Sequence, residues 1–407
     1  MDSISRRRMV QAALAGAAAS TLPAVAHAGD PQPISPSGMG GSILGPQNGP
    51  VTRENPFTTV PPKTDHGTLP NLKWSFADSH MRLENGGWAR QTTVRELPVS
   101  DTMAGVNMRL NKGGVREMHW HKASEWSYML AGRARITAID EEGRTFVDDV
   151  GPGDLWFFPS GIPHSIQGLD PDGCEFLLVF DDGSFSEDNT FLLTDWLSHT
   201  PRDIVAKNFG LPESTFAKLP EKELYIFEAP LPTSAGPDAD MQPGPAGRVP
   251  RTFSHRMTAQ EPIKTNWGSV RITDSRNFPA STTTAAALVD VNPGGLRELH
   301  WHPNAAEWQF FIEGQARMTV FASGGDARTF DYQAGDVGYV PFAMGHYIEN
   351  TGSTPLRFLE MFKSDRYADL SLTQWLALTP PELVVAHLNI DKAVLQSFSQ
   401  VKRPVVG

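Results

Sequence analysis

Thiols are almost missing from this chain: Cys174 is the one cysteine in 407 residues. No intrachain disulfide can form, and a thiolate metal cluster is excluded. Basic charge is also in deficit. Lys and Arg number 35 against 46 Asp and Glu, a net charge of -11 with no basic stripe, which disfavours nucleic acid and anionic membrane surfaces as partners. The same deficit would repel a small anionic substrate, so any attraction has to come from a local metal and an arginine. Long apolar runs are missing as well. The Ala-rich stretch near the start contains Gly16 and Pro23 and is too short to span a bilayer comfortably, so no membrane insertion is expected. What the chain has in quantity is 33 prolines and 36 glycines, the composition of a turn-rich, all-β fold. Its length suits two ordinary domains.

The N-terminus reads as an address. Ser5-Arg6-Arg7-Arg8-Met9-Val10 precedes the Ala-rich run and Ala26-His27-Ala28, a basic start, apolar middle and small-x-small site. The paired arginines resemble a twin-arginine signal, so residues 1–28 are expected to direct a folded protein to the periplasm or the exterior. Residues 29–60 are rich in Pro, Gly and Ser and read as an extended arm. A second such stretch, 229–250, carries Pro230, Pro232, Pro237, Pro243 and Pro245 and reads as a linker. Two domains remain, 61–228 and 251–407.

These two segments can be laid over one another. Gly113-Gly114-Val115-Arg116-Glu117-Met118-His119-Trp120-His121 matches Gly294-Gly295-Leu296-Arg297-Glu298-Leu299-His300-Trp301-His302. Gly153-Asp154 through Pro159 to His164 matches Gly335-Asp336 through Pro341 to His346. Short aromatic and aliphatic runs such as Trp126 to Leu130, Phe176 to Phe180 and Phe358 to Phe362 read as strands of a barrel or sandwich. Helical spacing is confined to the stretches after Pro201 and Pro380, so each copy is expected to be a β-barrel with a short helical tail.

Alternate strand residues share a face, so His119 projects with His121, and His300 with His302. Glu125 follows His121 by four positions, and Glu307 follows His302 by five; a turn can bring either carboxylate onto the same cation. His164 and His346 complete two sets of three imidazoles and one carboxylate. Six of the chain's 12 histidines occupy the corresponding positions of a duplicated pattern. Such a set leaves positions open on an octahedral metal, as a catalytic site requires. Without sulfur, the donors suit Mn²⁺, Fe²⁺, Zn²⁺, Ni²⁺ or Cu²⁺. Export after folding would load the metal in the cytoplasm, which favours Mn²⁺ or Fe²⁺.

The patterns Gly-x₅-His-x-His-x₃₋₄-Glu-x₆-Gly and Gly-x₅-Pro-x₄-His, each present twice, resemble the two motifs of the cupin superfamily. More narrowly, from about Pro56 onward the chain resembles the bicupin oxalate decarboxylases. Arg116 to Lys122, Asp181-Asp182-Gly183-Ser184-Phe185-Ser186-Glu187 and Gly338 to Tyr347 carry that likeness. The resemblance implies tandem jelly-roll barrels, two Mn²⁺ per chain, and dioxygen needed as a co-catalyst while oxalate is split to formate and CO₂. It also implies a homo-hexamer built from two trimers. It gives Glu187, in the Ser-Glu loop, the part of general acid and base, and Arg116 the binding of a substrate carboxylate. Strict alternation from His119 would put Arg116 on the outer face, so its inclusion rests on the resemblance. Asp188-Asn189 departs from the family's usual Asn-Ser after the glutamate.

The copies also differ informatively. Leu178 corresponds to Glu360, while Arg116 corresponds to Arg297. Phe180 to Trp196 spans 16 residues and Phe362 to Trp375 only 13, and the extra length falls in the loop that carries Glu187, as a mobile lid requires. The first copy is therefore the expected principal catalytic site. Glu360, Arg297 and Tyr367 are expected around a second, mainly structural one. Two rivals remain at this point: an oxalate oxidase producing CO₂ and hydrogen peroxide, and a bicupin that stores metal without chemistry.

Overall fold

In the computed structural model, residues 48–58, 61–169, 171–233 and 236–407 are described. The export signal expected at 1–28 lies outside the described residues, as does the arm up to residue 47. Contacts divide the chain into Met1–Pro61 and Pro62–Gly407. The described part of the first unit holds a short helix, Gly49–Glu54, whose first turn is capped by the Asn48 side chain accepting from the Val51 N–H.

Pro62–Gly407 is two antiparallel β-barrels, each a pair of facing sheets, the tandem jelly-roll architecture anticipated. In the first barrel a six-stranded sheet centres on Gly114–Trp120, His164–Gly168 and Ala134–Ile139. The facing seven-stranded sheet centres on Glu125–Gly132, Cys174–Phe180 and Ala104–Leu110. The second barrel repeats both with Leu296–Trp301, Gly345–Asn350 and Gln315–Phe321, and with Glu307–Glu313, Leu356–Phe362 and Ala285–Val291. The helices Arg202–Phe209 and Pro381–Leu388 close the copies.

Burial explains the sequence patterns. His164–Gly168 alternates buried and half-exposed residues because one face meets solvent. Phe176 to Phe180 is buried throughout, so it reads as a continuous apolar run. One face of its sheet fills the first barrel and the other packs on the second: Val106 and Leu178 belong to one buried cluster with Leu288, Trp308 and Leu359. The barrels also exchange strands. Lys73–Ser75 pairs with Asp336–Val340 of the second barrel, and Ser254–His255 pairs with Leu155–Phe158 of the first.

Candidate metal centres and the lid over the first

The first centre draws on both sheets of its barrel. His119 lies on Gly114–Trp120, His121 just beyond that strand's end, and His164 opens the neighbouring strand directly opposite His119. Glu125 opens the strand Glu125–Gly132 of the facing sheet. One ligand atom from each of these four buried side chains lies within 4.8 Å of the others. The second centre gathers His300, His302, Glu307 and His346 in the same way, also buried.

Each ring is aimed by its own backbone. His119 Nδ1 meets the Glu117 carbonyl at 2.6 Å, His121 Nδ1 the Ala123 carbonyl at 2.6 Å, and His164 Nδ1 the Ile162 carbonyl at 2.8 Å. In the second centre the partners are the carbonyls of Glu298 at 2.6 Å, Ala368 at 2.8 Å and Met344 at 3.1 Å. Only a protonated Nδ1 can donate to a carbonyl, so in each neutral ring Nε2 is left as a lone pair facing the centre. Nε2 of His164, His300, His302 and His346, with Glu307 Oε2, are buried and have no well-directed hydrogen bond among the described residues; they crowd on one another instead, Glu307 Oε2 lying 2.9 Å from His302 Nε2 and 2.8 Å from His346 Nε2. Orphaned acceptors converging on one point are costly unless a cation meets them, so the donor set fits a divalent metal. The carboxylates are fixed from behind: Glu125 Oε1 accepts from Trp156 Nε1 at 2.9 Å and Ser127 Oγ at 3.1 Å, and Glu307 Oε1 from Gln309 Nε2 at 2.7 Å. Burial, aided by the Arg116 charge, holds the His119 pKa well below its usual value; burial and Arg297 do the same for His300. These imidazoles are neutral and ready to ligate.

Arg116 does not sit on the outer face that strict alternation gives it. Register slips between Arg116 and His119, where Glu117 and Met118 face the single residue Ser165 of the partner strand, and this β-bulge turns Arg116 inward. Arg297 is turned inward by the same bulge before His300. Glu117, inside the bulge, is also buried and accepts from the backbone N–H groups of Thr194 at 2.7 Å, Leu224 at 2.9 Å and Tyr225 at 2.8 Å.

Beyond the bulge the two copies diverge. Arg116 Nη2 donates to Glu187 Oε2 at 2.8 Å, and the same oxygen accepts from Tyr225 Oη at 3.0 Å. Burial and then the Glu187 charge push the Tyr225 pKa well above its usual value, so its hydroxyl stays protonated and donates. Tyr225 also holds a positive φ of 54°, a strained backbone for a non-glycine residue. Glu187 comes from a short 3₁₀ turn, Glu187–Asn189, capped by Ser186. Before it, Phe185 stacks on Phe180 with ring centroids 3.5 Å apart. A cavity of about 410 Å³ lined by Gln91, Arg95 and Tyr225 opens on one side of the turn, and one of about 520 Å³ lined by His121, Lys122 and Phe191 on the other.

In the second barrel Arg297 is fully buried and already engaged. Its Nε donates to Glu360 Oε1 at 3.0 Å, and its Nη2 to Tyr367 Oη at 2.7 Å and Asp369 Oδ2 at 2.9 Å. Lys402 Nζ donates to Asp369 Oδ1 at 2.5 Å. Two carboxylates, the Tyr367 hydroxyl and the Pro404 carbonyl engage this guanidinium, where one carboxylate and the Tyr225 carbonyl meet Arg116.

Every site residue named from the sequence lies at one of the two centres. Tyr225, Gln91 and Asp369 were missed. Val405 stands opposite Arg297 as Ile226 stands opposite Arg116, so Pro404 takes the place of Tyr225 in the second copy and no internal repeat flagged the tyrosine. Glu117 and Glu298 do recur in the duplicated motif, and that repetition was a usable signal.

The profile of the cupin family matches residues 76–216 and 242–396. The chain is 59% identical over 376 residues to oxalate decarboxylase OxdC of Bacillus subtilis, covering 92% of this chain and 97% of that one. It is 44% identical over 402 residues to a probable oxalate decarboxylase of Arthroderma benhamiae, covering 97% and 98%. A solved structure of the Bacillus subtilis enzyme, described for its Mn(II) centres, superposes with a TM-score of 0.90 over 93% of this chain and 99% of that one.

Proposed function

The chain belongs to the cupin family and, within it, to the bicupin oxalate decarboxylases, and from that premise we propose that the first barrel is where oxalate is converted to formate and CO₂, with Glu187 as the proton-transfer group. Manganese, one ion per barrel, supplies Lewis acidity and one-electron chemistry when bound. The observation that carries the choice of barrel is the contrast between the two guanidiniums. Arg116 faces the first centre with one partner carboxylate, on a turn that can leave, whereas Arg297 is held by Glu360 and Asp369 on fixed segments. Displacing Glu187 would free two donors, Arg116 Nη2 and the Tyr225 hydroxyl, for a substrate carboxylate beside His119. Before substrate arrives Tyr225 and Arg116 stabilise the charged form of Glu187; once they bind substrate, Glu187 returning over the site would take the proton carried by the oxalate monoanion and hand it to the reacting carbon after CO₂ has left. Proton delivery to that carbon gives formate; failure to deliver it leaves a second oxidation and peroxide as the outcome.

Changing Glu187 to Gln keeps the turn's size and removes the transferable proton. Formate production is expected to fall by about 10²-fold or more, with the residual turnover shifted toward peroxide. The Glu360→Gln variant should keep most of the formate activity. Unchanged formate output in the first variant with collapse in the second would move the reaction to the other barrel. Running the same assay without dioxygen tests dioxygen as co-catalyst, which is part of this proposal.

We further propose export through the twin-arginine-type signal at residues 1–28, supported by Arg6-Arg7 and Ala26-His27-Ala28. Changing both Arg6 and Arg7 to Lys should trap active enzyme inside the cell. A homo-hexamer is supported by large apolar side chains on the outer faces around both ligand strands: Met118 and Trp196 in one copy, Leu299 and Trp375 in the other, each more than half exposed. Light scattering on the purified protein tests it.

A further inference from the structure

We propose that Gln91 is a positioning residue that latches the Glu187 turn closed over the first centre. It stands on the strand Gly87–Thr92, not on the turn. Its Oε1 accepts from the backbone N–H of Glu187 at 3.1 Å, and its Nε2 donates to Ser186 Oγ at 3.5 Å. That serine in turn contacts Asp188 Oδ2 at 3.3 Å. One amide thus ties two successive residues of the turn to a rigid sheet.

The need for such a tie follows from how little else holds the turn. Phe185 is anchored on Phe180, but past it the chain separates two hollows and has no apolar core of its own. The closed position is therefore set by polar contacts. Arg116 and Tyr225 both grip the Glu187 carboxylate, the part that has to let go when substrate takes their donors. Gln91 grips the backbone instead, so it can hold the turn in place while the carboxylate changes partners.

The second copy supplies an internal control. Gly87-Trp88-Ala89-Arg90-Gln91-Thr92 aligns with Gly268-Ser269-Val270-Arg271-Ile272-Thr273, and the paired strands agree, Gln91 facing Val106 as Ile272 faces Ala287. The copy with the longer loop has the amide; the copy with the shorter loop has an isoleucine, which can make neither hydrogen bond. A purely structural glutamine would have no reason to track the loop.

The inference rests on Glu187 being the proton-transfer group, and the test separates the two. The manganese-loaded Gln91→Leu variant removes both hydrogen bonds at nearly constant size, while Gln91→Glu retains an oxygen to accept from the Glu187 N–H. Hydrogen exchange of the 184–190 segment is measured beside formate and peroxide output and thermal midpoint. Gln91→Leu is expected to exchange roughly tenfold faster across that segment, the effect of losing hydrogen bonds that bias a two-state turn. Formate kcat should fall by a similar factor, peroxide per formate should rise, and the midpoint should stay near that of the parent. Gln91→Glu should recover most of the exchange protection. Unchanged exchange in both variants overturns the latch, whatever the activity does. Faster exchange with unchanged products upholds the latch and overturns the part given to Glu187. Should the Gln91→Leu chain fail to fold, Gln91→Ala, which also lacks both hydrogen-bonding groups, takes its place, and exchange across 184–190 no faster than in the parent then overturns the latch.

Discussion

A guanidinium's partners set its availability, and here two equivalent arginines have opposite fates. Arg116 meets one carboxylate that lies on a short turn; Arg297 meets two on packed segments. Asp369 makes the second arrangement measurable. Burial opposes its ionisation, but the charges of Arg297 and Lys402 outweigh that and hold its pKa at about 2, below the usual 3.8. A carboxyl depressed in the folded state adds stability that is complete above its unfolded pKa and lost as pH falls through the folded one. The contribution, on the order of 2 kcal/mol, should be present near pH 5 and fade between about pH 4 and pH 2. Thermal unfolding of the parent and the Asp369→Asn variant across that range checks this: the gap between them should narrow as pH falls. A gap that does not change with pH would place the pair's value elsewhere. At this scale the sequence showed the ligands plainly, because a duplicated His-x-His with a following Glu gathers donors that only a metal satisfies. It could not show Asp369 or Tyr225, since each reaches its arginine only through folding and neither recurs in the other copy.

Two elements decide what the ligand residues can do. The bulge ahead of His119 inserts one extra residue and thereby puts Arg116, Glu117 and His119 all inside, which no regular strand permits. Alternation alone therefore gave the wrong face for Arg116, and the resemblance to the decarboxylases was the better guide. The second element is the strand that seals each bulge from the side, Ile226–Glu228 in the first barrel and Val405–Val406 in the second. In the second, the Pro404 carbonyl accepts from the Glu298 N–H at 3.1 Å and Arg297 Nη1 at 3.4 Å, and Val405 is buried. Removing residues 403–407 would open that side to water and loosen Arg297. Manganese per chain is then expected to fall from two toward one, with a lower thermal midpoint, while formate activity in the first barrel declines far less. Metal analysis of the truncated protein against the parent, with activity per bound manganese, reads this directly. Equal loss of metal from both barrels would mean that the tail supports the whole molecule and not one centre.

Over the whole of Pro62–Gly407 the barrels share a core, and one glycine sets how closely they meet. A Cβ at Gly105 would come 2.5 Å from Trp308 Cζ2 of the second barrel, and Trp308 is fully buried. Gly105→Ala should destabilise the protein by about 1–3 kcal/mol, the usual cost of overpacking, with metal content and activity retained below the transition. Calorimetry checks it; an unchanged midpoint would mean the indole has room to withdraw. The amino-acid sequence determined the two barrels, their duplication and both ligand sets, because strand periodicity and metal-donor spacing are local and were written twice. Tertiary structure alone decided the exchange of Lys73–Ser75 and Ser254–His255 between barrels, since three- and two-residue strands carry too little pattern to identify a partner. It alone decided the availability of Arg116 over Arg297 as well. That difference depends on which carboxylates arrive from 71, 63 and 72 residues away, distances over which no spacing rule operates.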